Sequence, residues 1–244
     1  MPKEKIWTRT FTLLCTVQFL SYANHFLVVP IFDRYVLDLG GSHFTTGLIM
    51  AAFAISGIVT RPLMGYYADR FKESQILSAG VLIQSLGTAL CGIPNIPSAA
   101  LGQIARGIGW SGGNVGGYAI IPLATPASRS GEASGYYTAS QQLAVVLLPL
   151  LGFWIYRNLG ASFVFGASAA IAFAGWLAAL FVQYERVPRK PAFSLFEKRM
   201  LLIFVLQCLL NFSVQTMVTF IDPYSLQKGI PNVWLFSPPA DSPA

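Results

Sequence analysis

The feature that most constrains this chain is an alternation of long apolar runs with brief polar joints. Seven runs stand out, roughly Arg9–Ile31, Thr45–Leu63, Ser74–Ile93, Ala99–Leu123, Ala133–Tyr156, Ser162–Tyr184 and Met200–Ile221. Each is close to the ~20 residues a helix needs to cross the hydrocarbon of a bilayer. Breakers separate them: Gly40 with Gly41, Pro94 with Pro97, Pro122 with Pro126, and Pro188 with Pro191. Only 11% of the 244 residues are charged, against about a quarter in an ordinary soluble domain. The expected fold is all-α, a polytopic membrane helical bundle with the lipid bilayer as its solvent.

Net charge is +6, and the placement of the cations explains it. Lys3, Lys5 and Arg9 precede the first run, and Arg61, Arg70 and Lys72 lie between the second and third. Arg129 follows the fourth, and Arg186, Arg189, Lys190, Lys198 and Arg199 precede the seventh. The opposite side carries only Arg34, Arg157 and Lys228. Positive charge concentrates in cytoplasmic loops, so the N-terminus is expected in the cytoplasm of a multi-pass protein of the cytoplasmic (cell inner) membrane. Nucleic acid is not needed to account for the charge. The first run is long enough to span and lacks a small-residue cleavage pattern, so it reads as a retained helix. Cys15, Cys91 and Cys208 each sit inside an apolar run without spaced partners, which predicts neither a disulfide framework nor a metal site.

The charged, proline-containing stretch 185–199 is the one clear linker. It predicts a six-helix domain over 1–184, a cytoplasmic linker, and a seventh helix with its tail over 200–244. The stretch Arg61–Lys72 reads as a short charged hairpin between the second and third spans.

That hairpin carries the first resemblance. Gly65-x-x-x-Asp69-Arg70, preceded by Arg61-Pro62, resembles the signature between helices two and three of major facilitator superfamily transporters, notably bacterial exporters. Lys72 stands where a glycine is usual, and Glu73-Ser74 replace the basic pair. Arg106-Gly107-Ile108-Gly109 is similar to the family's R-x-x-Q-G motif, with Gln103 placed before the arginine. Pro149-x-x-Gly152 resembles a fragment of the helix-five pattern of proton-coupled antiporters. Ser128-Arg129-Ser130-Gly131-Glu132, followed by Gly135-Tyr136-Tyr137, is similar to the family's entry to helix five. The resemblance implies the N-terminal six-helix half of such a transporter plus helix seven. Twelve helices are usual, so a truncated or frameshifted chain is the expectation. It also implies that helices one and four line a central cavity. The Arg61–Arg70 motif then acts as a gate against a C-terminal half.

Helical spacing picks out candidate cavity residues. Gln18, Tyr22 and His25 fall at i, i+4, i+7 on the first span, with Asn24 at the same depth as His25. Arg106, Trp110 and Asn114 do the same on the fourth, with Gln103 one turn earlier. Tyr137 and Gln141 pair on the fifth, and Gln207, Asn211 and Gln215 form a stripe on the seventh. An arginine inside a span costs at least ~2.5 kcal/mol on insertion scales, so Arg106 should face protein or a wet cavity. The competing reading is that these polar groups only bond helix to helix. His25 could carry a proton near neutral pH, or be a neutral group satisfying a neighbour. No Asp or Glu lies deep in any span, which weighs against cation–proton antiport, and a cavity with Arg106 and no acid favours a substrate bearing a carboxylate or other negative group. The five glycines Gly109, Gly112, Gly113, Gly116 and Gly117 predict close helix contact along the fourth span.

The function expected is secondary transport of a small molecule by alternating access, proton-coupled and outward, with no cofactor. No P-loop supports ATP-driven transport. A seven-helix receptor conflicts with the cytoplasmic N-terminus and with the lack of a lysine in the seventh span. A membrane enzyme finds no HExxH or nucleophile elbow. Oligomeric state is not readable from these patterns.

Overall fold

The structure, a computed structural model, describes residues 5–185, 201–202 and 205–210. The chain divides into two compact units, Met1–Phe193 and Ser194–Ala244. In the second unit the described residues are helical, exposed and mostly apolar. Asn211 and Gln215 lie outside the described residues.

Among the described residues the first unit is a bundle of six membrane-length helical segments. The first is α1 (Arg9–Val28), continued through a 3-10 turn at Val29–Ile31 into α2 (Phe32–Asp38). Then follow α3 (His43–Arg70), α4 (Glu73–Cys91), α5 (Ile96–Ala124), α6 (Ser130–Leu159) and α7 (Ala161–Leu180). Side chains close the helix starts. Thr8 accepts from the Phe11 amide at 3.2 Å and Ser42 from the Thr45 amide at 3.2 Å. Asn95 accepts from the Ser98 amide at 2.8 Å, with Pro97 in the first turn of α5. Gly160, at φ 85°, makes the sharp turn from α6 into α7 in a left-handed conformation that other residues resist.

Three expectations need correction. The first span does not end at Ile31: Pro30 is absorbed by the 3-10 turn, and helix resumes to Asp38. Arg61–Lys72 is not a hairpin: residues 61–70 are the last turns of α3, and only Phe71 and Lys72 turn the chain. Leu63, Met64, Tyr66, Tyr67 and Ala68 continue the helix past Pro62, and Arg70 favours the negative end of its dipole. The sixth span stops at Leu180, where Phe181 leaves the helix.

Five of the six segments are both long and apolar enough to cross a membrane: Arg9–Asp38, His43–Arg70, Glu73–Cys91, Ala127–Leu159 and Ala161–Leu180. Helix α5 has the length, 29 residues, but its glycines, Gln103, Arg106 and Asn114 make it more polar. Packing compensates. It is wedged against α3 and α4, so much of it meets protein rather than lipid. By contrast nearly all of the apolar length of α3 faces outward.

The α4–α5 seam is built by glycine. A Cβ on Gly80 would lie 2.3 Å from the Gly113 amide nitrogen, and one on Gly109 would lie 2.5 Å from the Gln84 amide nitrogen. Gly102 against Gly87 and Gly116 against Leu77 repeat the pattern two turns away in each direction. The predicted small-residue stripe is therefore a backbone-to-backbone contact. Gly152 of the helix-five fragment serves α1 in the same way, since a Cβ there would lie 2.4 Å from the Leu27 carbonyl. Around Gly65 a Cβ would meet nothing within 4 Å.

Two apolar clusters hold the ends of the bundle, one around Leu27, Phe32, Tyr35 and Phe165, the other around Phe11, Leu14, Leu77 and Ile120. At the end that holds the start of α4, Tyr184 pins the chain after α7. Its hydroxyl donates to the buried Glu73 carboxylate at 2.6 Å and accepts from the Ser74 amide at 3.0 Å. Burial first, and then the Glu73 carboxylate, raise its pKa above the usual tyrosine value. A raised phenol contributes stability below the unfolded pKa of about 10 and loses it as pH climbs through the folded value. Tyr184→Phe should lower the melting temperature at neutral pH, and its deficit against wild type should shrink above about pH 10. A deficit constant across that range would contradict the assigned contact.

Candidate functional site

Arg106 is the largest fully buried side chain among the described residues, at 0% exposure. Its Nη1 donates to Gln103 Oε1 at 2.9 Å, one turn earlier on α5. Its Nη2 approaches His25 Nδ1 on α1 at 3.5 Å. A guanidinium only donates, so Nδ1 accepts and the imidazole proton sits on Nε2. The Arg106 Nε has no partner among the described residues, and no carboxylate pairs with this cation there. Desolvation of a lone buried cation is expensive.

Trp110, one turn further along α5, divides this buried group from a pocket. Its ring centroid lies 4.4 Å from His25 on one side and 4.5 Å from Tyr22 on the other. Phe53 of α3 stacks on His25 at 5.1 Å. Beyond Trp110 a cavity of about 400 Å³ is lined by Tyr22, Arg61, Trp110, Asn114, Val115 and Tyr118. The amide of Asn114 joins the helices around it, with its Oδ1 accepting from Gln18 at 3.1 Å and from Tyr22 at 3.3 Å. Gln18 in turn accepts from Tyr137 at 2.8 Å, and Tyr118 donates to Gln141 at 3.2 Å. The Gln141 amide nitrogen has no partner among the described residues.

Of the residues singled out from sequence, the structure brings Gln18, Tyr22, His25, Gln103, Arg106, Asn114 and Gln141 into this connected group. Asn24 goes elsewhere. It bonds Thr88 at 3.0 Å, the Ser168 carbonyl at 2.8 Å and Gln84 at 3.0 Å, in a closed cluster of α1, α4 and α7. Pro149 lies within α6, and Pro62 and Asp69 lie within α3. Arg70 stands at the end of α3, its guanidinium 5.8 Å from the Phe71 ring centre. Sequence reasoning missed Tyr118 and Arg61 as pocket residues. Tyr118 continues the Arg106, Trp110, Asn114 stripe by one more i+4 step. Arg61 could be placed there only once residues 61–70 were known to be helical.

Membrane-length helices surround a buried cation and an aromatic, amide-lined pocket, and this chain belongs to the Major Facilitator Superfamily. The family's model matches residues 14–240. By kinship it is thus a transporter-family protein and not an enzyme. It is 26% identical over 178 residues to Multidrug resistance protein 2 of Bacillus subtilis, covering 72% of this chain and 44% of that protein. It is 28% identical to Multidrug resistance protein MdtG of Dickeya zeae, covering 74% and 46%. Against Quinolone resistance protein NorA of Staphylococcus aureus it is 28% identical, covering 55% and 35%. The chain thus spans less than half the length of these relatives. In fold it is similar to the POT family transporter PepTSo, with a TM-score of 0.67, 17% identity, and coverage of 76% of this chain and 40% of that one.

Proposed function

We propose that this chain supplies the substrate-handling face of a secondary transporter that exports a small molecule across the cytoplasmic membrane by alternating access. The observation that carries the proposal is the fully buried Arg106, without a carboxylate partner among the described residues and one tryptophan ring from a pocket. A cation so placed costs folding energy that a purely structural bundle has no need to spend. The relatives' names, which describe resistance to drugs, agree with outward movement of small molecules. Coupling to protons is assigned to His25, whose Nδ1 carries the ring's free lone pair beside Arg106 and is the atom that takes up and releases the proton. The cation-rich loops set the N-terminus and the linker 185–199 in the cytoplasm. Residues 1–184 form the six-helix domain and 200–244 begin the next. In this reading the Arg61–Arg70 segment, with Pro62, Gly65 and Asp69, contributes to gating from the cytoplasmic end of α3. The open space at Gly65 leaves room for a partner element there.

Alternating access has a direct test. Val115→Cys, made in a Cys208→Ser background, puts a thiol in the pocket wall. Membrane-impermeant maleimide should label it from either side of sealed vesicles of known orientation. Labelling from one side only would contradict the mechanism.

A further inference from the structure

The anion preference that Arg106 suggested belongs, by position, to another arginine. Arg106 is sealed, bonded to Gln103 and walled off by Trp110. Arg61 instead lines the pocket. It stands nine residues before the end of α3, about 13 Å along the axis, well inside the membrane-spanning segment. It makes no ion pair and no hydrogen bond among the described residues. The same pocket is lined by the aromatic rings of Tyr22 and Trp110, whose centroids lie 4.5 Å apart, and by Asn114 and Tyr118.

We propose, building on the transport reading above, that this pocket binds a planar aromatic carboxylate, and that Arg61 is the residue that selects its charge. The guanidinium is a rigid fork whose paired N–H donors match the two oxygens of a carboxylate. Trp110 and Tyr22 offer stacking surface to a ring system. A volume of about 400 Å³ lies within the ordinary range for small-molecule sites and admits a bicyclic acid. A cationic ligand would meet Arg61 with no carboxylate on the pocket wall to offset it.

The probes are 2-naphthoate and its neutral isostere 2-naphthamide, with 2-naphthylmethylammonium as the cation. Binding is measured by equilibrium dialysis on the whole protein in a non-ionic detergent. Wild type should bind the carboxylate at least about tenfold more tightly than the amide, the size of one charge-assisted contact, and the ammonium most weakly. Arg61→Gln should remove the preference by weakening the carboxylate alone, while Arg61→Lys keeps part of it. Arg61 is exposed, so these variants should fold, and a monodisperse elution profile with an unchanged melting temperature checks that they do. Equal binding of carboxylate and amide by wild type would overturn the inference, as would a preference that survives Arg61→Gln. The two proposals fail separately. Carboxylate binding with one-sided Val115→Cys labelling leaves the ligand assignment and removes the transport reading. Two-sided labelling without anion preference does the reverse.

Discussion

Gly109→Ala should cost the protein most of its folded yield. The added Cβ would sit 2.5 Å from the Gln84 amide nitrogen and 2.6 Å from the Gly80 carbonyl oxygen. Both are backbone atoms of α4, so no rotamer change relieves the clash, and the two helices must separate. Overpacking typically costs ~1–3 kcal/mol, and here it falls on a seam that repeats at Gly80 and Gly116. Helix separation at one step loosens the others. Gly135→Ala is the matched control. It lies in α6 with nothing within 4 Å of the new Cβ, and better helix propensity should leave it unchanged or slightly stabilised. The monodisperse fraction after detergent extraction and the melting temperature distinguish the two. Equal behaviour of both variants would contradict the close α4–α5 contact.

Arg106→Met should have the opposite character, sparing the fold and removing function. The guanidinium is fully buried, with Nε unpartnered and no acid beside it among the described residues. Removing an unpaired buried cation in favour of an apolar side chain of similar length relieves its desolvation penalty, on the order of several kcal/mol per ion. The melting temperature is therefore expected to hold or rise. Gln103 and His25 lose a donor, which offsets part of the gain. Transport should fall to background, because the cation that faces the proposed proton site is gone. Loss of both stability and transport would instead mark Arg106 as a structural bond, the helix-to-helix reading raised by its sequence context.

The bundle and half of its site were legible in the amino-acid order because membrane spans and helical stripes obey simple periods. Gln18, Tyr22 and His25 lie on one face, and Arg106, Trp110 and Asn114 on another. The two faces meet as their spacing predicts. Asn24 shows the limit of arguing from depth. It neighbours His25 in sequence, but one residue is about 100° of rotation, enough to turn it toward α4 and α7. Arg61 shows a second limit. Its charge and the following proline looked like loop chemistry, yet Pro62 is accommodated within α3, as prolines are in membrane helices. Helix α5 shows a third. Apolarity alone understates a span whose neighbours are other helices rather than lipid.

The central claim is that Arg106 and His25 couple proton movement to passage of a small molecule. The most direct measurement is flux in proteoliposomes holding the protein, with ethidium, 2-naphthamide and 2-naphthoate as probes and an imposed pH gradient. Wild type should move at least one probe against its own gradient. That movement should stop when a protonophore collapses the pH difference, and Arg106→Met should be inert while still folded. Flux of no probe by wild type, or wild-type flux by Arg106→Met, would contradict the account.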